Sequence, residues 1–282
     1  MMQTDYLNAA VTAAIKGGKV LLQYFRKLDP ATIEEKSKND LVTEADRASE
    51  QAIQGELAVR FSSHSFLGEE TGLSGTNDMV WIADPLDGTL NFVQGLPQWC
   101  VSVALWDAVG PIVGCVYDPL RRDLFLAQKG LGARWHKDID ANAQFSESPC
   151  LEGPNQAQAM KVSKQPTLDG AFLATGFAYQ MADRFPRYIR VLEPVFYRAK
   201  AIRRAGSAAL DLAHTAAGLY DGYFEIGLRK WDMGAGVLLV REAGGKISDW
   251  EGGETWWDSG YVVAGNPCVH PQLVEETGKS RR

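Results

Sequence analysis

The sequence predicts a layered α/β fold built from two intimate subdomains, and three features carry that expectation. The first half opens on helical periodicity, then runs through short β-rich segments parted by Gly, Pro and Asp, the pattern of an α+β unit with an antiparallel meander. The second half alternates strands with helices, the pattern of an α/β unit. Between them "KDIDANAQFSESPCLEGPNQA" (137–157) is poor in apolar periodicity and rich in turn residues. A boundary within it gives an N-terminal α+β subdomain over 1–145 and a C-terminal α/β subdomain over 146–282.

Taken in order, Leu7, Val11, Ala14 and Ile15 fall at helical spacing, so the N-terminus reads as an amphipathic helix. Asp5, Lys16 and Lys19 break its apolar content. It therefore has neither a signal peptide's shape nor the roughly 18 apolar residues of a membrane span. "EKSKNDLVTEAD" reads as a polar loop, and a second helix follows from Thr43 to Phe61 with Ile53, Leu57 and Phe61 on one face. Residues 79–84 form a strand, and "WCVSVALWD", "PIVGCVYDP" and "RDLFLAQKG" supply the meander. In the second half, strand "AFLATGF" leads to a helix near 183–199, and "RRAGSAALDLAHTAAG" is another helix. Strand "YDGYFEIG" precedes the helix "DMGAGVLLVREAG", and "KISD" and "YVVAGN" are closing strands. The terminal "ETGKSRR" reads as a frayed tail.

Composition narrows the function. The 282 residues, 45% hydrophobic and 23% charged, suffice for one large domain or two medium ones. A formal net charge of −6 argues against a bare nucleic-acid binder. A phosphorylated substrate stays compatible if metal ions supply positive charge locally. Cys100, Cys115, Cys150 and Cys268 form no CxxC pair, and a chain this size needs no disulfides. Reduced thiols in a cytoplasmic protein are expected. His64, His136, His214 and His270 are dispersed, which removes the usual zinc and His-base constellations.

Four acidic stretches remain, each with two readings. "DPLDGT" is a good turn, yet Asp84, Asp87 and the Leu86 carbonyl between them are also oxygen donors suited to hard cations. Gly88 and Thr89 would then expose amides at a helix start, where a phosphate is favoured. In "FLGEETG" the adjacent Glu69 and Glu70 cannot both face one point, and a solvated loop is the alternative. Asp232 in "KWDMGAG" is a plausible N-cap, but capping leaves the glycines Gly234, Gly236 and Gly244 unexplained; close approach to another element explains them better. Asp46 in "NDLVTEAD" is either the partner of Thr43 in a capping box or a catalytic group. "RRAGSAALDL" is an ordinary helix start, or an anion cradle made by the amides of Ser207 and Ala208. Acidic residues at strand ends and helix starts, without His or Cys, suit two or more Mg²⁺ ions and a phosphate.

"GEE", "DPLDGTLNF" and "WDMGAG…EAGG", in that order, resemble the inositol monophosphatase family of Mg²⁺-dependent, lithium-sensitive phosphatases. The likeness covers nearly the whole chain, including "DLVTEAD" and "RRAGSAALDLAHTAAGLYDGYFEIG". It implies an αβαβα sandwich of the inositol monophosphatase/fructose-1,6-bisphosphatase type, usually homodimeric. By position it implies Glu69, Asp84, the Leu86 carbonyl, Asp87 and Asp232 as ligands of two or three Mg²⁺ ions. The amides of Gly88 and Thr89 would bind phosphate, Asp46 and Thr89 would orient the attacking water, and Glu69 would act through a water on the metal. Gly206, Ser207, Ala208 and Glu225 would hold the sugar alcohol, with Asp87 and Asp232 bordering it. The implied reaction is hydrolysis of inositol-1-phosphate by direct attack of water, without a phosphoenzyme.

Ala83, Leu90 and Gly234 depart from the usual family pattern without removing a ligand. Fructose-1,6-bisphosphate, histidinol phosphate and 3′-phosphoadenosine 5′-phosphate are substrates of relatives and stay open. Arg229 and Lys230 are either a site for a second phosphate or a solvated basic pair. The D-x-x-D spacing counts against a haloacid-dehalogenase mechanism, and no GxxxxGK[ST] is present. Some similar bacterial members bind the transcription machinery in rRNA antitermination, so protein partners there are a further expectation; direct RNA or membrane binding is not.

Overall fold

Five layers stack in the order helix, sheet, helix, sheet, helix. The structure is a computed structural model that describes residues 3–28, 33–37, 40–139, 157–177 and 179–280. Along the first half come α1 (Gln3–Tyr24), β1 (Glu34–Ser37), β2 (Asp40–Val42), α2 (Glu44–Phe61), β3 (Ser65–Gly68), β4 (Gly72–Ser74) and β5 (Val80–Asp87). They are followed by α3 (Thr89–Val93), β6 (Cys100–Trp106), β7 (Pro111–Asp118), β8 (Asp123–Gln128) and β9 (Gly132–His136). The second half holds β10 (Gln158–Ala159), β11 (Phe172–Phe177), a 3-10 segment at Tyr179–Arg184, α4 (Phe185–Arg198), β12 (Ala201–Arg203), α5 (Ala208–Ala216) and β13 (Gly222–Ile226). It closes with α6 (Lys230–Met233), α7 (Gly236–Glu242), β14 (Lys246–Ser248), α8 (Trp256–Ser259), β15 (Tyr261–Gly265) and α9 (Val269–Lys279).

The larger sheet has the order β10-β9-β8-β7-β6-β5-β3-β4 and is antiparallel except for the parallel β3–β5 pair. The smaller is mixed, β12-β11-β13-β15-β14, with β11 parallel to both β12 and β13. α1 and α2 cover one face of the large sheet, and α5 and α7 lie between the sheets. α4 and α9 cover the far face of the small one. Each interface has its own core: Leu21, Ile53 and Trp81 in the first, Leu210, Leu239 and Phe125 in the second, Leu173, Val191 and Trp250 in the third. β7, "PIVGCVYD", is apolar without alternation because helices cover it on both sides; all eight of its residues are buried.

Several expectations need correction. The polar loop at 35–46 contains the β1–β2 hairpin, paired Glu34 to Val42 and Glu35 to Leu41. The strand expected to stop at Asp84 runs on to Asp87 through a bulge: Asp84 faces Ser102 and Asp87 faces Cys100, so β5 spends one residue more than β6. Pro85 sits in that bulge, where its missing N–H costs no ladder bond. The helix expected from Asp232 is broken into α6 and α7, and Asp232 lies inside α6. Close approach accounts for the break. A Cβ on Gly236 would lie 2.6 Å from Leu212, and one on Gly114 2.8 Å from the Ala235 carbonyl. The C-terminus is docked, not frayed, up to Ser280. Arg198 pairs with Glu276, and Arg190 donates to the Ser280 carbonyl. The boundary between 145 and 146 lies outside the described residues. Among the described residues no helix is long and apolar enough to cross a membrane.

Candidate active site

The bulge in β5 turns Asp84 and Asp87 to one side of the strand end, where Asp232 of α6 meets them. A ligand oxygen from each lies within 4.8 Å of the other two. Asp84 and Asp87 are buried, and Asp232 is half-buried. Burial first, then the charges of Glu69, Asp87 and Asp232, push the Asp84 carboxyl well above the usual carboxylate range. Burial and Asp87 do the same to Asp232. At such separations each pair of charges repels by roughly 3.5 kcal/mol at an effective dielectric near 20. A divalent cation between the three carboxylates would offset this repulsion, and an all-oxygen donor set fits hard cations of the Mg²⁺ kind.

The surrounding bonds orient this cluster. Asp84 Oδ1 accepts from the Leu86 amide at 3.0 Å. Asp232 Oδ2 accepts from the Arg229 amide at 2.6 Å; Arg229, not Asp232, is the N-cap of α6, and Asp232 reaches back to it from the third position. Asp87 receives the Ser207 hydroxyl at 2.6 Å and the Ala209 amide at 2.8 Å, with the Ala208 amide at 3.3 Å. The anion at the start of α5 is thus Asp87 itself. Burial raises the Asp87 carboxyl above its ordinary value, and these donors pull it back down.

Asp46 closes the capping box and also reaches Thr89. Its Oδ2 closes the capping box with Thr43 (N at 2.8 Å, Oγ1 at 2.6 Å), while Oδ1 faces the Thr89 hydroxyl at 3.2 Å. That hydroxyl also lies 3.0 Å from the Leu86 carbonyl. Gly88 precedes α3 with φ of 98°, a left-handed conformation that favours glycine, and a Cβ there would lie 2.8 Å from the Gln98 carbonyl. Of the adjacent glutamates, Glu69 is the one whose charge acts on Asp84 and Asp232; the charge of Glu70 acts on Arg47.

A cavity of about 200 Å³ opens beside the cluster, lined by Asp87, Gly88, Thr89, Gly206, Ser207, Ala208, Glu225 and Asp232. Asp84, Leu86, Asp46 and Glu69 are not part of this lining. Glu225 takes the Tyr223 hydroxyl, and burial pushes its carboxyl up to about 7. Gly176, opposite Glu225 in the ladder, leaves room for that carboxylate. Sequence reasoning missed Phe177, Arg204 and Leu228 in the lining, and Tyr223 beneath it. Arg204 caps the Phe177 ring 5.0 Å from its centroid; the "RRAG" run was the available signal. Lys230 is engaged with Asp258 at 3.0 Å.

Fold and cluster together define a layered α/β protein with an acidic cation site beside a helix start, the class that handles phosphate esters. The chain belongs to the inositol monophosphatase family, whose model matches residues 2–282. It is 42% identical over 265 residues to the Nus factor SuhB of Escherichia coli K12, covering 93% of this chain and 92% of that one. Among solved structures, extragenic suppressor protein suhB from Bartonella henselae is similar at TM-score 0.86 and 34% identity, covering 98% of this chain and 99% of that chain. Inositol monophosphatase from Anabaena (Nostoc) sp. PCC 7120 is similar at TM-score 0.79 and 33% identity, covering 98% and 96%.

Proposed function

We propose that the protein is a Mg²⁺-dependent phosphomonoesterase that hydrolyses inositol-1-phosphate to myo-inositol and phosphate. The observation that carries this reading is the Asp84, Asp87 and Asp232 cluster set beside a cavity bordered by the α3 start and Glu225. Glu69, Asp84, the Leu86 carbonyl, Asp87 and Asp232 would hold two or three Mg²⁺ ions. Bound there, such ions lower the pKa of water and neutralise charge on the phosphoryl group. The amides of Gly88 and Thr89 hold phosphate oxygens. Thr89, whose hydroxyl faces the Asp46 carboxylate, orients water with it for in-line attack. Glu69 acts through a further bound water. Glu225 accepts hydrogen bonds from the sugar alcohol, whose ring rests against Gly206, Ser207 and Ala208. The halves 1–145 and 146–282 act as subdomains that each give part of the site, in a cytoplasmic homodimer. Phe185, Ile189, Phe196 and Tyr197, exposed along α4, supply an apolar face for the second copy.

The test is phosphate release from inositol-1-phosphate, fructose-1,6-bisphosphate, histidinol phosphate and 3′-phosphoadenosine 5′-phosphate, each with Mg²⁺, with EDTA, and with Mg²⁺ plus Li⁺. Mg²⁺-dependent, Li⁺-inhibited release, fastest from inositol-1-phosphate, is expected. Preference for another ester moves the substrate, and silence across the panel refutes the enzyme. A second reading is favoured by the relatives named Nus factor SuhB: a role in rRNA transcription antitermination through protein contacts. Retention of RNA polymerase and Nus-type factors by both wild-type and Asp84→Asn protein would support it; retention by neither would refute it.

A further inference from the structure

α2 carries three buried polar residues within little more than one helical turn, Asp46, Ser49 and Glu50, which bond to segments around the site. Their exposures are 0%, 0% and 1%. Each reaches a different segment of distant sequence. Asp46 Oδ1 faces the Thr89 hydroxyl at the start of α3. The Ser49 hydroxyl donates to the Pro85 carbonyl at 3.0 Å, inside the bulge that carries Asp84 and Asp87. Glu50 spends both carboxylate oxygens on the segment holding Glu69: Oε2 accepts from the Glu70 amide and Oε1 from the Thr71 amide, both at 2.9 Å. The neighbouring Gly68 has no room for a Cβ, which would fall on the Glu50 carboxylate. A buried carboxylate is costly to place unless donors satisfy it, and two backbone amides do so here.

We infer that one polar face of α2 sets the register of the three segments that form the cation site, and that Glu50 is a positioning residue holding the 69–71 segment so that Glu69 meets Asp84 and Asp232. This rests on the cation-site reading above. Glu50 itself touches neither cation nor substrate; it acts through backbone amides, as outer partners of ligands do, and loss of such partners weakens metal affinity about 10- to 100-fold.

Two measurements test it. Amide hydrogen exchange on the metal-free wild-type protein should show Glu70 and Thr71 protected like the interior of α2, and Glu50→Gln, which keeps a single acceptor oxygen, should release at least one of them. Mn²⁺ binding, followed by the electron paramagnetic resonance of the free ion, should weaken at least about tenfold in Glu50→Gln. Gly68→Ala, which displaces the carboxylate without altering it, should reproduce the loss, and Glu56→Gln, half-buried on α2 and paired with Lys16 of α1, should bind as wild type. A folded Glu50→Gln protein that binds Mn²⁺ unchanged would overturn the inference. So would fast exchange at Glu70 and Thr71 in the wild type, which needs no variant to fold. Wild-type protein that takes up no Mn²⁺ would instead overturn the cation-site reading beneath it.

Discussion

Replacing Gly176 with alanine is expected to cut kcat/KM for inositol-1-phosphate by about 10- to 150-fold and to leave hydrolysis of a simple aryl phosphate nearly unchanged. Gly176 and Glu225 are directly opposed in the parallel β11–β13 ladder. A Cβ at 176 would fall inside van der Waals contact of all three carboxyl atoms of Glu225. The carboxylate would have to leave its seat against Tyr223, and an accepting group for the substrate hydroxyls would go with it. A hydrogen bond to a charged group is worth about 1.5–3 kcal/mol, and about 1.4 kcal/mol is a factor of ten. The aryl ester offers no hydroxyl to Glu225, and the cation cluster is built from Asp84, Asp87 and Asp232, so its hydrolysis is the internal control. Steady-state kinetics on both esters at saturating Mg²⁺ decide the matter. An equal fall on both would place the damage in the cation site; no fall on either would remove Glu225 from substrate binding.

Three further outcomes follow from the titrating groups. Asp84→Asn should abolish turnover yet raise the Tm of the metal-free protein, because it removes a buried charge that three neighbouring carboxylates oppose. Since the folded pKa of Asp84 and Asp232 is raised, the protonated form supports the metal-free fold below about pH 4, and that support is lost as pH rises toward the folded values. The rise in Tm given by Mg²⁺ over EDTA should therefore be larger at pH 8 than at pH 5; a shift that shrinks with rising pH would refute the assignment. His214 and His270 run the other way, for burial pushes both down to about 4. The stability they contribute is present above about pH 6.5 and lost as pH falls toward 4, so thermal melts in Mg²⁺ should drop over that window, less steeply in His214→Phe.

What the sequence made legible was local. "DPLDGT" and "WDMGAG" join chemistry to turn geometry within a few residues, and both stretches deliver their carboxylates to one point. Features made by distant pairing were hidden. β1 and β2 are too polar and short to look like strands, and form because they pair with each other. Pro85 reads as the end of β5 until β6 supplies the partner that makes it a bulge. The same limit hid Glu50 and Ser49. The apolar stripe Ile53, Leu57 and Phe61 continues one and two turns earlier as Ser49, Glu50 and Asp46, so polar residues hold positions that periodicity assigns to the core. That break in the stripe was the available signal. Its meaning depended on residues 70, 71 and 85, which only the fold brings near.

The placement of Asp232 bears on how the chain is made. Asp84 and Asp87 leave the ribosome long before Ser207 and the α5 amides, which follow Asp87 by 120 residues or more, and before Asp232, more than half a chain away. Contacts of such wide separation close late, since the intervening loop entropy must be overcome first. An unfinished chain thus carries Asp87 without its hydroxyl and amide donors, and two carboxylates of the acidic cluster without the third. On the proposed reading the complete cation site belongs to the finished molecule. A fragment ending before α6 would form much of the large sheet and lack Asp232, so full synthesis and competence coincide.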